Sequence, residues 1–121
     1  APGRRVAVVT IANPPVNALN ERALDELVTV VDHLARRDDI AVVVFTGAGS
    51  GSFVAGADIR QLLDDVHTLD EAQPLPNVAH LAFRKIEAMT KPTIAAINGV
   101  ALGGGLEFAM ACHYRLAEPT S

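Results

Sequence analysis

The sequence lacks the features that mark secreted and membrane proteins. It contains one cysteine, Cys112, so no disulfide can form within the chain, and it has no Asn-x-Ser/Thr glycosylation sequon. Both absences favour a reducing compartment such as a bacterial cytoplasm. No apolar run approaches the roughly 20 residues of a membrane-spanning helix, and the amino terminus lacks the apolar stretch of a signal peptide. We therefore expect a soluble protein that is not secreted.

Aromatic residues, basic clusters and metal-ligand patterns are also scarce. Aromatic residues make up only 4% of the chain, so Val, Leu, Ile and Ala must fill the core, which suits α/β layers. The 10 Lys and Arg residues are dispersed and the formal net charge is -4, so we expect no nucleic-acid partner. The 4 histidines show no ligand spacing with one another or with Cys112, so we expect no metal site.

What the chain does have is enough length and apolar content for one domain. Its 121 residues, 50% of them hydrophobic, can bury a modest core and do not have the composition of a disordered chain. We find no internal repeat and no linker, so residues 1–121 are treated as one unit.

The first half of the sequence predicts a strand, a helix and a second strand. Residues 5–12 are mostly β-branched and apolar, which is typical of a strand buried on both faces or nearly so. Asn20 is placed to cap a helix over residues 21–37, and residues 40–46 predict another buried strand. Such a unit implies parallel pairing of the two strands, unless another strand lies between them. The predicted helix carries apolar residues at the three-and-four spacing, at Leu24, Leu27, Val28, Val31, Leu34 and Ala35.

The second half predicts two helices that flank a surface loop. Asp58 is placed to cap a helix over residues 59–66, a structural role that argues against Asp58 as a catalytic acid. Residues 67–76 are polar and proline-bearing, which indicates a loop. Asn77 would cap a further helix that ends near Met89. Its predicted buried stripe is Val78, Leu81, Ala82, Ile86 and Met89, with His80 on the surface.

A glycine turn near the carboxyl end is the strongest candidate for chemistry. An apolar strand over residues 92–97 leads towards the triplet Gly103, Gly104 and Gly105, and a helical pattern over residues 106–113 follows, before a possible strand from Tyr114. Glycines let a ligand approach the backbone, and the amides of a first helical turn lack partners within the helix. Such a turn binds negative charge and stabilises a developing oxyanion.

Glu107 lies almost at the start of this helix, where it would place a carboxylate beside the polarised group for acid/base work. The structural alternative is that Glu107 only interacts with the helix dipole and that the glycines only permit close packing. A second glycine-rich loop, residues 47–52, is a poor nucleotide cradle. It has no Gly-Lys-Ser/Thr ending, and its third glycine comes too early for G-x-G-x-x-G.

Two motifs together resemble the enoyl-CoA hydratase/isomerase (crotonase) superfamily. They are Phe-Val-Ala-Gly-Ala-Asp-Ile at residues 53–59 and Asn-Gly-Val-Ala-Leu-Gly-Gly-Gly-Leu-Glu at residues 98–107, joined by Lys-Pro-Thr-Ile-Ala-Ala-Ile at residues 91–97. Asn-Ala-Leu-Asn at residues 17–20 fits as well. The resemblance covers essentially the whole chain in the right order, and residues 105–117 resemble the hydratase part of multifunctional fatty-acid oxidation enzymes.

The resemblance implies an α/β fold, the crotonase-like (ClpP/crotonase) ββα spiral, with this chain as its incomplete N-terminal portion. It also implies that the backbone amides of Ala57 and Gly104 form an oxyanion hole for a thioester carbonyl. Glu107 would work as a catalytic carboxylate with a second Glu further along the family pattern. The CoA-binding residues that it implies are Ala18, Ala55, Gly56 and Gly103, together with Arg60, for which a solvated helix side chain is the alternative.

The implied function is hydration of a 2-trans-enoyl-CoA to a 3-hydroxyacyl-CoA in fatty-acid β-oxidation. No cofactor is implied beyond the CoA of the substrate, and family members assemble as trimers or dimers of trimers, or within multifunctional enzymes. The alternatives are an enoyl-CoA isomerase, another acyl-CoA enzyme of the superfamily such as a thioester hydrolase or dehalogenase, and a non-catalytic acyl-CoA-binding subunit. A nucleotide-binding domain ranks last.

The 121-residue chain alone is predicted to be inactive as a hydratase, because the second carboxylate and the carboxy-terminal helices of the family pattern lie beyond Ser121. The measurement is the rate of crotonyl-CoA hydration by the purified chain. A rate that Glu107→Gln abolishes would contradict this prediction.

Overall fold

The computed structural model of the chain describes residues 5–14, 17–49, 51–54, 74–101 and 104–117. These residues form strands and helices that alternate along much of the chain. None of the helices among them is both long and apolar enough to cross a membrane. In chain order the elements are β1 (Arg5–Ile11), α1 (Glu21–Ala35), β2 (Ile40–Gly47), β3 (Ser52–Val54), α2 (Pro74–Glu87), β4 (Thr93–Ile97), β5 (Val100–Ala101), α3 (Gly104–Ala111) and β6 (Tyr114–Ala117).

The strands form two parallel sheets. The larger has the order β1-β2-β4-β6, and Val44 at its centre pairs with Val8 on one side and Ile94 on the other. The smaller sheet pairs β3 with β5, also in parallel. The predicted α/β class and the parallel pairing of the first two strands are therefore confirmed, as is the strand from Tyr114, which pairs with β4.

The prediction that the first strand is buried on both faces is wrong. β1 lies at the edge of its sheet, where Val6 is 57% and Val8 62% exposed while Ile11 is buried. Successive side chains of a strand point to opposite faces, so Ala7 and Val9 pack against the core and their neighbours point away from it. Because both faces of β1 carry apolar residues, the hydrophobic pattern does not distinguish the buried face from the exposed face.

Helix α1 confirms the helix that was predicted from the most regular apolar spacing in the sequence. The Asn20 Oδ1 accepts a hydrogen bond from the Ala23 N–H at 2.8 Å, which is the predicted cap. The helix ends at Ala35 instead of residue 37, and Ala35 itself is exposed. The residues that α1 buries are Leu24, Leu27, Val31 and Leu34.

The chain after α1 is held by an ion pair. Arg37 donates two hydrogen bonds, of 2.8 and 2.6 Å, to the two carboxylate oxygens of Asp39. These bonds lower the pKa of Asp39 from 3.8 to about 2. The turn predicted at residues 38 and 39 is confirmed, and it delivers the chain into β2.

Helix α2 differs from its prediction at both its start and its buried face. It begins at Pro74, so Asn77 lies inside the helix and does not cap it, and residues 74–76 do not belong to a loop. Proline is well suited to a first helical turn because its missing N–H would have no partner there. Leu81, predicted to be buried, is 49% exposed, whereas Phe83 is 7% exposed. Ala82, Ile86 and Met89 are buried and His80 is exposed, as predicted.

The predicted helix over residues 59–66, its Asp58 cap and residues 67–73 of the predicted loop lie outside the described residues, as does the Val78 side chain.

The core is organised around Phe108 of α3. Its ring centroid lies 5.2 Å from that of Phe45 on β2, 5.6 Å from Phe53 on β3 and 5.9 Å from Phe83 on α2. These residues are all 4 phenylalanines of the chain. One side chain therefore joins four elements, and aromatic pairs at these distances add to the stabilisation from apolar burial.

Phe108→Ala is predicted to lower the free energy of unfolding by about 3–5 kcal/mol, because it leaves a cavity among three other rings. The matched control is Met110→Ala on the same helix, where a side chain that is 60% exposed is removed. Urea denaturation followed by circular dichroism measures both changes, and equal losses in the two variants would contradict the central role of Phe108.

Candidate functional site

Two short parallel strands lead into the segments that carry the candidate oxyanion donors. Ser52 pairs with Val100 and Val54 with Ala101, so two steps along β3 match one along β5. This mismatch is a local irregularity of the pairing between Ser52 and Val54. Both strands were missed in the sequence, since strands of three and two residues next to glycines give no periodic signal. Because the two strands are parallel, their carboxyl ends lie at the same end of the sheet.

Helix α3 is docked directly on the end of β3. A β-carbon at Gly105 would lie 1.8 Å from the carbonyl oxygen of Val54 and 2.6 Å from its carbonyl carbon, so only glycine fits. The helix begins at Gly104, earlier than the predicted residue 106, which puts Gly104 and Gly105 in its first turn. The amides of that turn lack partners within the helix and carry the positive end of its dipole.

Glu107 is also in the first turn of α3, and its side chain is exposed. Its neighbour Phe108 is buried in the aromatic core, which fixes the rotation of the helix and turns Glu107 away from the core. Within the described part of the chain, no Lys or Arg forms an ion pair with Glu107. Its carboxylate is therefore accessible, as an acid or base that meets a ligand must be.

Glu107 lines a surface cleft of about 410 Å³ between α2 and α3. The lining is apolar at Phe83, Leu106 and Met110, and it carries titratable groups at His80 and Glu87. Leu106 and Met110 are 53% and 60% exposed, so α3 presents an apolar surface next to the Glu107 side chain. An apolar surface around a carboxylate suits a substrate with a hydrocarbon part.

The Asn17 side chain is hydrogen-bonded to β3, a role that sequence reasoning missed. It is 3% exposed, and its φ of 56° is in the left-handed region that Asn tolerates. Its Nδ2 donates to the carbonyl oxygens of Ala48, Ser52 and Phe53 at 3.1, 3.2 and 3.2 Å. Its Oδ1 accepts from the Asn13 N–H at 3.1 Å. The only signal in the sequence was the motif at residues 17–20.

Asn98 connects the other motif to the same loop. Its Nδ2 donates to the carbonyl oxygens of Gly47 and Gly49 at 2.7 and 3.1 Å, and its Oδ1 accepts from the Gly47 N–H at 3.1 Å. The segments that lead to Gly104 and to residue 57 are thus both attached to the chain between β2 and β3.

The same contacts bear on the nucleotide alternative for residues 47–52. The Gly47 N–H is bonded to Asn98, and the Ala48 N–H donates to the Ile11 carbonyl oxygen at 2.8 Å. A β-carbon at Gly47 would lie 2.2 Å from the carbonyl oxygen of Phe53. Gly47 therefore serves close backbone packing, and two of the amides that a phosphate cradle would need are already used.

Ala18 is half-buried, and its carbonyl oxygen accepts a hydrogen bond from the Asn13 Nδ2 at 2.6 Å. The remaining predicted site residues, Ala55, Gly56, Ala57, Arg60 and Gly103, lie outside the described residues.

Cys112 is 3% exposed, and burial raises the pKa of its thiol to about 12. The thiol is protonated at neutral pH and is a poor nucleophile. Across residues 5–14, 17–49, 51–54, 74–101 and 104–117, no group of three or more His, Cys, Asp or Glu side chains is placed to hold a metal ion.

Comparison with known proteins agrees with this geometry. The sequence model of the enoyl-CoA hydratase/isomerase family matches residues 3–121. The chain belongs to this family. It is 44% identical over 115 residues to a short-chain-enoyl-CoA hydratase of Clostridium acetobutylicum, a match that covers 94% of this chain and 43% of that protein. It is 45% identical over 115 residues to a peroxisomal fatty acid beta-oxidation multifunctional protein of Oryza sativa subsp. japonica, covering 94% of this chain and 16% of that one.

Solved structures with the same fold include two bacterial proteins. Pseudomonas aeruginosa DspI superposes with a TM-score of 0.87 at 40% identity, over 93% of this chain and 46% of its own. The enoyl-CoA hydratase of Bacillus anthracis superposes with a TM-score of 0.83 at 32% identity, over 97% and 44% of the two chains. The crotonase-like fold expected from the motifs is confirmed, and this chain spans less than half the length of these relatives.

Gly105→Ala is predicted to displace α3 from β3 and to lower the free energy of unfolding by about 1–3 kcal/mol, the usual cost of overpacking. The matched control is Gly51→Ala, because no atom lies within 4 Å of the added β-carbon there. Thermal unfolding of both variants measures the effect. If the two variants melt together, the close contact between Gly105 and Val54 is not a constraint on the fold.

Proposed function

We propose that the protein that contains this chain is an enoyl-CoA hydratase, a hydro-lyase of fatty-acid β-oxidation. The reaction is syn addition of water to a 2-trans-enoyl-CoA, which gives a 3-hydroxyacyl-CoA. The observation that carries the proposal is the pairing of Val54 with Ala101 at the ends of β3 and β5, with α3 docked on Val54 through Gly105.

This pairing supports an oxyanion hole made by the amides of Ala57 and Gly104. Each of these residues comes three positions after a strand end, Ala57 after Val54 and Gly104 after Ala101. Val54 and Ala101 are paired neighbours at the same end of the sheet. The number of residues from Val54 to Ala57 equals the number from Ala101 to Gly104. We therefore propose that the Ala57 and Gly104 N–H groups both donate to one carbonyl oxygen.

The chemistry asks the protein to stabilise negative charge on a thioester oxygen. Attack of water at C3 pushes the electrons of the double bond towards that oxygen, which becomes an enolate. Each preorganised donor lowers such a barrier by about 3 kcal/mol. The positive end of the α3 dipole acts in the same direction, because Gly104 begins the helix.

Glu107 then has the acid/base role. Its carboxylate orients the attacking water and moves one proton, with a second carboxylate as its partner in the family pattern. Water supplies the oxygen to C3 and a proton to C2, so the reaction balances without an oxidant or reductant. This role needs a carboxylate within hydrogen-bond reach of the water, and an exposed Glu one turn into α3 fits that need.

The proposed ligand is an acyl-CoA, with Ala18, Ala55, Gly56 and Gly103 along the CoA channel and Arg60 near a CoA phosphate. No further cofactor is proposed. The names of relatives support β-oxidation, since they include short-chain and crotonyl-CoA hydratases as well as multifunctional proteins and a fatty acid oxidation complex subunit. For the whole protein we propose a homotrimer, a dimer of trimers or a place within a multifunctional enzyme.

In the full-length protein, Glu107→Gln is predicted to lower the kcat for crotonyl-CoA hydration by about 10²–10⁴-fold, the usual contribution of a positioned acid or base. The loss of substrate absorbance measures the rate. The matched control is Glu26→Gln, an exposed carboxylate of α1 that does not line this cleft, which should leave kcat unchanged.

Other outcomes separate the alternatives. Tight acetoacetyl-CoA binding without any turnover by the full-length wild type would favour a non-catalytic acyl-CoA-binding subunit. Double-bond migration in place of hydration would favour an isomerase, and equal rates for Glu107→Gln and wild type would remove Glu107 from the mechanism.

A further inference from the structure

One face of the four-stranded sheet is apolar and open to solvent at both edges, and we call it the outer face. Residues that are paired between parallel strands point to the same face, so the register arranges their side chains in rows across the sheet. One such row consists of Val8, Val44, Ile94 and Tyr114. The residues of the outer face are Val6, Val8, Thr10, Val42, Val44, Thr46, Ile94, Ala96, Tyr114 and Leu116.

The exposure of the outer face is too large for an ordinary free surface. Val6 and Val8 of β1 are 57% and 62% exposed, and Tyr114 and Leu116 of β6 are 61% and 64% exposed. The outer face carries no Asp, Glu, Lys or Arg. A contiguous apolar patch of this kind marks a contact surface. All-parallel sheets, moreover, occur almost only with both faces covered.

The strand order explains why the helices of this chain leave the outer face open. The order β1-β2-β4-β6 advances in one direction, and each neighbouring pair is parallel. Right-handed crossovers between such strands place the connecting helices on one face. That face carries Val43, Phe45 and Ala95, which are 0% exposed in the core. A further strand and helix added beyond β6 in the same way would also lie on the core side, and the outer face would stay open.

The size of the outer face suits helices better than a second copy of the chain. Four strands about 4.8 Å apart, with a rise of about 3.3 Å per residue, give a face of roughly 20 by 20 Å, or about 400 Å². Each partner in a stable complex buries about 800 Å². Two helices side by side, each about 10 Å wide, match the width of the sheet.

The relatives indicate where such helices come from. The match covers 43% of the Clostridium acetobutylicum hydratase and 46% of the Pseudomonas aeruginosa DspI chain. More than half of each of those proteins therefore lies outside the matched part. A full-length protein of similar length has enough further polypeptide to form two helices against this sheet.

We propose that the outer face is the docking surface for two amphipathic helices, formed by the full-length polypeptide outside residues 1–121. Their apolar stripes, with residues at the three-and-four spacing, lie against the row from Val8 to Tyr114, and their polar sides face water. The proposal is independent of the hydratase reaction, because it concerns the sheet and not the cleft that contains Glu107. Absence of hydratase activity would leave it intact.

The first test is thiol labelling of Val8→Cys in the full-length protein, followed by mass spectrometry of the peptide that contains residue 8. The matched control is Thr29→Cys, since Thr29 is exposed on α1 beside the exposed charged residues Asp25 and Glu26. We expect Val8→Cys to react about 10-fold or more slowly than Thr29→Cys, because a covered thiol reacts only when the contact opens. Equal labelling rates would show an open face and overturn the proposal.

The second test identifies what covers the outer face. Tyr114 is replaced by the photoreactive amino acid p-benzoylphenylalanine in the full-length protein, and the products of irradiation are analysed by mass spectrometry. We expect a cross-link within one chain, to a segment outside residues 1–121 that has apolar residues at the three-and-four spacing. A product with twice the mass of the chain would place a second copy on the outer face and refute the proposal, as would a cross-link to any residue within 1–121.

Discussion

The close contact between Gly105 and Val54 is the constraint on which the rest of the site depends. The helix start can lie against the end of β3 only because residue 105 has no β-carbon. This contact brings the free amides of the first turn of α3 next to the strand that leads to residue 57. Together with the pairing of β3 and β5, it places the two motifs of the family side by side.

Phe108 supplies the second constraint, because it decides which way α3 faces. The helix is apolar on most of its surface, with Leu106 and Met110 exposed and Phe108 and Ala109 buried. The distribution of apolar and polar residues on α3 therefore does not determine which face of the helix is buried. The three other phenylalanines select the buried face, and the exposure of Glu107 follows from that selection.

The side-chain amides of Asn17, which is buried, and Asn98, which is half-buried, give the third constraint by bonding loop segments outside the sheets. Asn17 bonds to Ala48 and Asn98 to Gly49, both in the loop between β2 and β3. Among the described residues, every buried side-chain nitrogen and oxygen has a hydrogen-bond partner. Each bond is modest in net stability, but an unpaired buried oxygen is costly. The arrangement thus excludes alternative loop conformations more than it adds stability.

Local periodicity and local chemistry were enough to predict several elements of this protein. The helix with its Asn20 cap, the strands β2 and β4, and the glycine turn before Glu107 all depend on residues within a few positions of one another. The resemblance of the motifs to the crotonase superfamily predicted the fold. Tertiary structure decided the edge position of β1, the buried face of α2, the short pair β3 and β5, and the role of Asn17. Each of these is set by partners distant in sequence, such as Phe108 for Phe83 and Phe53 for Asn17, and local pattern carries no information about such partners.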